Sequence, residues 1–362
     1  ICPGVAGRYF KNVTNKESPA WLQQRLKAIG LRPISALVDI TNYITYDLGR
    51  PLHVYDADKI NGNLKMRYAK ENEDCLTLDE EKRECTKDMI VISDDNQLHG
   101  IGGVMGGLDS GCSFDTKNVF LEVALFDPIS VTKTGRHLKL QSDARYRFER
   151  GIDPTSIEWG VQAATKMILD LCGGEASKPV QTPVLKDKQN ILDFNTDKIR
   201  SLGGVDVPKD KQKSILESLG FSVSENGNVF NITAPSFRPD IEGEADIVEE
   251  ILRIYGFDQI PLTNVSDHNN KKNVLSAELK SFYKIKRTIA NTGYTEAVTW
   301  SFMDEKIAKL LSANAILIKN PISTELNVMR PSNIPNLLSA VNLNKSKMIT
   351  SGKIFEVGPI FD

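Results

Sequence analysis

Between Lys65 and Ala124 the apolar residues stop recurring at helical spacing and gather into short runs, KMRYA, CLTLD, MIVIS and VFLEVALF, separated by charged turns and glycines. Runs this short, rich in Val, Ile, Leu and Phe, fit strands and are too brief for helices. The block therefore predicts a β-rich core, and helical patterns bracket it. Upstream, Ser18 and Pro19 read as an N-cap and a first-turn proline for an amphipathic helix, AWLQQRLKAIG, that halts at Gly30. A second helix is expected from Ser35 to Asp47. Downstream, TSIEWGVQAATKMILDLCGG predicts a helix ended by its glycine pair. Helices around a sheet of this kind give a mixed α/β domain within an α+β, multidomain chain.

With 362 residues, 40% hydrophobic and 25% charged, the chain has the size of two or three domains. A net charge of −2 excludes a global basic field, so any RNA contact has to be a local patch. Five widely spaced cysteines without a C-x-x-C pair exclude a disulfide framework and a thiolate zinc site, and suit a reducing, cytoplasmic compartment. No apolar run reaches membrane-spanning length. The first residues, ICPGVAGRYF, carry neither a signal-peptide start nor an initiator Met, and the last, GKIFEVGPIFD, stop in an alternating strand pattern. Both ends read as cuts in a longer polypeptide.

A proline- and lysine-bearing connector, EASKPVQTPVLKDKQN, puts a first boundary near residue 186. The next domain, 187–262, reads as a helix (PKDKQKSILESLG), a hairpin (FSVSENGNVFNITAP, with Asn226-Gly227 as the turn) and a further, acidic helix. That order suggests a winged-helix-like module. After the polar stretch SDHNNKKN, a last domain, 275–362, opens with a helix to Thr292 and continues into the strand-like EAVTWSF.

The acidic helix crowds six carboxylates into RPDIEGEADIVEE, residues 238–250. At 100° per residue, Glu242, Asp246, Glu249 and Glu250 share one sector, opposite Ile241, Ile247, Val248, Ile251 and Leu252. A solvated face with a Glu249–Arg253 surface pair explains this pattern, and so does a hard cation. Asp246 and Glu250 are like charges one turn apart, which a cation would relieve.

The segment FRPDIEGEADIVEEILRIYGFDQIP resembles a signature of the β subunit of bacterial phenylalanyl-tRNA synthetase. The likeness extends, in family order, through LRPISALVDITNY, PLHVYD, IGGVMGGLDSG, NVFLEVALFDP, SDARYRFERGIDP, GYTEAVTWSFMD and NPISTELNVMRPS. It implies a tRNA-editing domain over 1–186, a winged-helix-like domain over 187–262, and a truncated, antiparallel class II synthetase-like module over 275–362.

The resemblance further implies Mg²⁺ ligands at Asp240, Asp246, Glu249 and Glu250, and an editing pocket built from Arg32, His53, Gly106, Glu122, Ser142 and Ala144. Ser142 stands where the family commonly has threonine. The partners implied are an α subunit, in an α2β2 tetramer, and tRNA(Phe), with no membrane. ATP would be used by the holoenzyme and bound by α.

In that pocket Glu122 is expected to accept the hydroxyl that distinguishes tyrosine from phenylalanine. His53 and Ser142 would orient water or ribose, and Gly102, Gly103, Gly106 and Gly107 would let backbone amides approach a ligand. DARYRFERG alternates arginines with aromatics, as a nucleic-acid-contacting strand or a plain two-faced strand does. In YKIKR, Lys284, Lys286 and Arg287 suit a solvated helix face or a tRNA contact. Two rival functions remain: a scaffold that positions tRNA without catalysis, and a metal-dependent hydrolase centred on the acidic helix.

Overall fold

The structure is a computed structural model that describes residues 2–182, 190–263, 275–349 and 352–361. The chain divides into two compact units, Ile1–Leu262 and Thr263–Asp362. The boundary expected near residue 186 and the whole SDHNNKKN stretch lie outside the described residues.

In the first unit, β1 (Gly4–Lys11), α1 (Ala20–Ala28), α2 (Ala36–Asp47) and β2 (His53–Asp56) lead into a strand-rich block. This block comprises β3 (Lys65–Tyr68), β4 (Glu73–Leu76), β5 (Lys82–Cys85), β6 (Ile90–Ser93), β7 (Leu98–Ile101), β8 (Met105–Gly106) and β9 (Val119–Leu125). Then come α3 (Pro128–His137), α4 (Asp143–Phe148), α5 (Ser156–Cys172) and two short strands, β10 (Glu175–Ala176) and β11 (Val180–Gln181). One sheet has the order β10-β1-β9-β2, with β11 also on β1; a second runs β3-β6-β7-β8; β4 and β5 form a separate hairpin. Pairing is antiparallel in all three.

Strand β9 lies inside its sheet, and its two faces feed two cores. Val119, Leu121, Val123 and Leu125 pack with α2 and α5, while Phe120, Ala124 and the following Phe126 join the core shared with the second sheet. Glu122 belongs to the latter row, which is why an ionisable residue there meets apolar surroundings instead of water.

Two local expectations fail here. Ser18 is not an N-cap: Pro19 holds that position, and the Ser18 hydroxyl donates to Asp39 Oδ2 at 2.5 Å. DARYRFERG is helical, not a strand, with Ser142 capping α4 by accepting the Arg145 N–H at 3.0 Å. Its arginines are engaged within the domain. Arg145 is buried and bonds Glu149 and the Leu140 carbonyl, Arg147 lies 4.6 Å from the Tyr46 ring, and Arg150 lies 3.8 Å from the Tyr146 ring. Aromatic and basic residues alternating over so short a stretch satisfy both periods, and the cap with its i,i+4 pairs decides for helix.

Still within the first unit, β12 (Ile191–Asn195), α6 (Lys198–Gly203), α7 (Lys209–Ser218), β13 (Ser222–Asn226), β14 (Val229–Thr233) and α8 (Glu244–Tyr255) surround a core of their own. The sheet order is β12-β14-β13, antiparallel throughout. The expected helix, hairpin and helix are present, preceded by a strand and a short helix. Asn226 pairs with Val229, so the turn residues are Gly227 and Asn228, one position beyond the expected pair, with Gly227 at φ +62°.

In the second unit, α9 (Ala277–Asn291), β15 (Thr295–Glu296), β16 (Phe302–Met303), α10 (Glu305–Ala308), β17 (Val328–Met329), α11 (Ile334–Ser346) and β18 (Ile354–Phe355) surround a small core at Met303, Ala308 and Val328. EAVTWSF supplies two short strands instead of one. β16 and β17 are antiparallel, but β15 and β18 are parallel, a departure from the expected antiparallel module. Arg330, buried, is held by Glu356 at 2.6 Å and by the Pro359 carbonyl at 3.0 Å. Lys286 of YKIKR pairs with Glu296.

Candidate functional site

The pairing register brings β2 and β9 together so that His53 stands directly opposite Glu122 and Tyr55 opposite Phe120. All four face the second sheet. The Tyr55 hydroxyl donates to Glu122 Oε2 at 2.5 Å, and the His53 and Tyr55 rings meet edge to face at 4.4 Å. A cavity of about 80 Å³ opens among them, with Gly106, Ala144 and Phe148 also in its wall. A larger one, about 850 Å³, lies on the same sheet face beside Gly7, Tyr9 and Phe120. Glu122 and Ile92 line both. The smaller void is below the size of about 150 Å³ that admits benzene, so an aromatic ligand requires its wall to give way.

Four of the six expected pocket residues therefore converge from separate segments: His53, Gly106, Glu122 and Ala144. Two do not. Arg32 is exposed on the loop between α1 and α2 and lines neither cavity. Ser142 is spent on structure, since its hydroxyl caps α4 and donates to the Val104 carbonyl, tying that helix to the turn before β8.

The glycine-rich segment serves the protein's own side chains. A Cβ on Gly106 would stand 2.6 Å from His53 Cε1, and one on Gly102 2.8 Å from Phe126 Cε1. The N–H groups of Gly102 and Gly107 are taken by the Ile90 and His99 carbonyls. These glycines let His53 and Phe126 close over the sheet, and the Gly102 and Gly107 amides are not open to a ligand.

Burial sets the site's electrostatics. Loss of water pushes the Glu122 carboxyl up to about 7, opposed by the Tyr55 hydrogen bond and the Arg50 charge. Burial, with His99 nearby, pulls the His53 imidazole down to about 4, so His53 is neutral at neutral pH. Its Nε2 is shielded and has no hydrogen-bond partner. Arg50 is fully buried, donates Nη2 to the Ala124 carbonyl at 2.5 Å, and is drawn down to about 10 by desolvation. Behind Tyr55, the buried His99 places Nε2 2.8 Å from Asp94 Oδ2, without the alignment of a hydrogen bond.

Sequence reasoning missed Tyr55 and Arg50. Tyr55 had a signal, because residues i and i+2 of a strand share a face and His53 was already nominated. Arg50 had none.

The acidic segment is organised differently. Asp240 is gripped by Arg238 at 2.8 and 2.5 Å, and Glu250, buried despite its place in the acidic sector, receives Arg238 at 3.0 Å and Arg253 at 2.5 Å. Both carboxyls are held below their ordinary range, chiefly by Arg238. Asp246 Oδ2 accepts the N–H groups of Glu242 and Gly243 at 2.9 and 2.8 Å, closing the first turn of α8. The expected Glu249–Arg253 pair is replaced by Glu250–Arg253.

Among the described residues no group of three His, Cys, Asp or Glu side chains is placed to hold a metal ion. Of the four expected Mg²⁺ ligands, Asp240 and Glu250 have both carboxyl oxygens bonded to arginines, and Asp246 has Oδ2 bonded to backbone N–H groups; with Arg238 in place the Asp240 and Glu250 carboxylates are not free to hold the ion.

Three family profiles match the chain in succession: one described as "B3/4 domain" over residues 1–173, "tRNA synthetase B5 domain" over 192–257, and "Phenylalanyl tRNA synthetase beta chain CLM domain" over 260–362. This series defines an aminoacyl-tRNA synthetase chain. The phenylalanine-tRNA ligase beta subunit of Mesorhizobium japonicum is 45% identical over 100% of this chain and 46% of its own length. That of Ruegeria pomeroyi is 44% identical over 99% and 45%, and that of Paramagnetospirillum magneticum 44% over 100% and 46%. The chain belongs to the family of phenylalanine-tRNA ligase β subunits, and it spans about half the length of these relatives. Among the described residues no helix is long and apolar enough to cross a membrane.

Proposed function

We propose that this chain is the portion of a phenylalanine-tRNA ligase β subunit that hydrolyses tyrosine wrongly esterified to tRNA(Phe), at the cavity between β2, β9 and α4. One observation carries the reading: Glu122, a buried carboxyl in an apolar wall, already accepts a phenolic hydroxyl, that of Tyr55. A phenol is the group by which tyrosine differs from phenylalanine. A buried acceptor left unpaired by the wrong ligand supports discrimination on the order of 10⁴. Neutral His53, with an unpartnered ring nitrogen in the same wall, supplies a group that can hydrogen-bond the ester or the attacking water.

In this proposal the complete protein works in the cytoplasm with an α subunit, as an α2β2 tetramer that charges tRNA(Phe) with phenylalanine at the expense of ATP bound by α. A Mg²⁺ at Asp240, Asp246, Glu249 and Glu250 would require Arg238 to release two of those carboxylates, so no step is assigned to the ion.

The test is deacylation of tyrosyl- and phenylalanyl-tRNA(Phe) by the complete assembly and its Glu122→Ala variant. Selective hydrolysis of the tyrosyl ester, with the preference lost in the variant, is the expected result. Binding of tRNA without hydrolysis of either ester would instead make the domain a scaffold.

A further inference from the structure

Tyr55 hydrogen-bonds the carboxyl of Glu122 from the neighbouring strand, and nothing in the editing reading assigns it a role. Its ring is fully buried. Its hydroxyl meets Glu122 Oε2 across a span of 67 residues in sequence. The groups facing this pair are known: His53 on β2 itself, Arg50 just before β2, His99 on β7 at 6.3 Å from the Tyr55 ring, Cys75 on β4, and Cys2 ahead of β1. Of these, only Tyr55 donates a hydrogen bond to the carboxyl.

A carboxylate offers two oxygens, and a short bond from a phenol is the stronger, charge-assisted kind. Occupying one oxygen has two effects. It stops a three-bond side chain from swinging between the two cavities that Glu122 lines, and it favours the ionised form against desolvation.

Resting on the editing reading above, we propose that Tyr55 is a specificity-positioning residue: its hydroxyl fixes Glu122 through Oε2 and reserves Oε1 for a hydroxyl on the ring of the bound aminoacyl group. The ligand class is a para-hydroxylated aromatic acyl ester. A bare aromatic ring leaves Oε1 unpaired, and Tyr55 prevents the carboxyl from turning away to relieve that deficit.

The experiment measures kcat and KM for tyrosyl- and phenylalanyl-tRNA(Phe) deacylation from pH 5.5 to 8.5, using the complete assembly as wild type, Glu122→Ala and Tyr55→Phe. Tyr55→Phe deletes one oxygen from a buried ring and keeps its packing. The expected result is a tyrosyl-over-phenylalanyl preference reduced about tenfold at pH 7. The loss should sit mainly in KM for the tyrosyl ester, and the pH midpoint of the preference should move upward, because Glu122 loses a bond that favours its ionised form.

A Tyr55→Phe enzyme with the wild-type preference and midpoint, beside a Glu122→Ala enzyme that has lost the preference, overturns the role of Tyr55 and leaves the editing reading standing. An equal loss on both esters with an unmoved midpoint also overturns it, since that is the signature of general loosening. If the wild type hydrolyses neither ester, or Glu122→Ala keeps the preference, the editing reading falls and the role of Tyr55 with it.

Discussion

The cavity of the first domain and the acidic segment at α8 are both built around carboxyl groups, and they hold them in opposite ways. Glu122 has apolar neighbours, one phenol and a more distant arginine, and removal from water leaves its charge finely balanced near neutral pH. Asp240 and Glu250 have Arg238 and Arg253 against them, and their charges are secured. The difference teaches that carboxylate density is a poor guide to chemistry. Of six acids in thirteen positions, Asp240 and Glu250 build an arginine network and Asp246 closes a helix turn, whereas one acid in a strand of apolar residues makes the adaptable site.

The largest expected effect exploits that contrast through pH. The Glu122 carboxyl is raised above its unfolded value, so the folded state favours its neutral form. Its stabilising contribution is complete below about pH 4.5 and is lost as pH rises through about 7. Glu122→Gln removes this dependence. The variant should gain about 3 kcal/mol on the wild type between pH 4.5 and pH 8, read from denaturant unfolding of the first domain's transition. Parallel curves for the two proteins would mean that Glu122 titrates normally. His53 works with the opposite sign, because its lowered value makes acid destabilising between about pH 6.5 and 4. The Glu122→Gln protein should therefore show that slope uncompensated.

Next in size is Arg238→Ala, which strips the buried Glu250 of one partner and Asp240 of both its bonds. A loss of about 2 kcal/mol is expected at neutral pH. It should shrink below pH 4 as the carboxyls protonate, since both are held below their ordinary range. A loss that persists unchanged in acid would show that packing of the arginine stem, and not charge, is what matters.

Gly106→Ala should be milder in stability, about 1 kcal/mol, because a ring can shift where backbone cannot. It nevertheless displaces His53. Tyrosyl-ester hydrolysis should fall roughly tenfold or more, since small misplacements at a reacting centre carry penalties of that order; full activity would remove His53 from the site.

The smallest expected effect is none at all. With Asp240 and Glu250 held by Arg238, millimolar Mg²⁺ or its chelation should move the melting temperature of this chain by less than about 1 °C. A larger, saturable rise, abolished by Glu249→Gln, would show that the arginine network yields to a cation and would erase much of the contrast between the two regions.

Much of this protein was legible from its residues. Helices α1, α2, α5, α7 and α9 follow from local apolar spacing and stop signals, and the strand block from short Val- and Ile-rich runs. Glu122, His53, Gly106 and Ala144 were site candidates only through the family resemblance of their motifs, and they share one cavity wall. What the sequence misread lies where a local pattern fits two structures. DARYRFERG satisfies both periods until Ser142 caps it, and GIGGVMGG looks like a ligand loop until His53 and Phe126 are seen to fill the space its missing side chains leave.

Tertiary structure alone decided which charges are free. Tyr55 reaches Glu122 across 67 residues, Arg238 reaches Glu250 across 12, and Arg50 reaches the Ala124 carbonyl across 74. Periodicity reports the conformation of neighbouring residues, because sterics and backbone hydrogen bonds act over a few positions. The protonation state of a carboxyl depends on the water and charges around it in space, and those come from segments that only folding brings together.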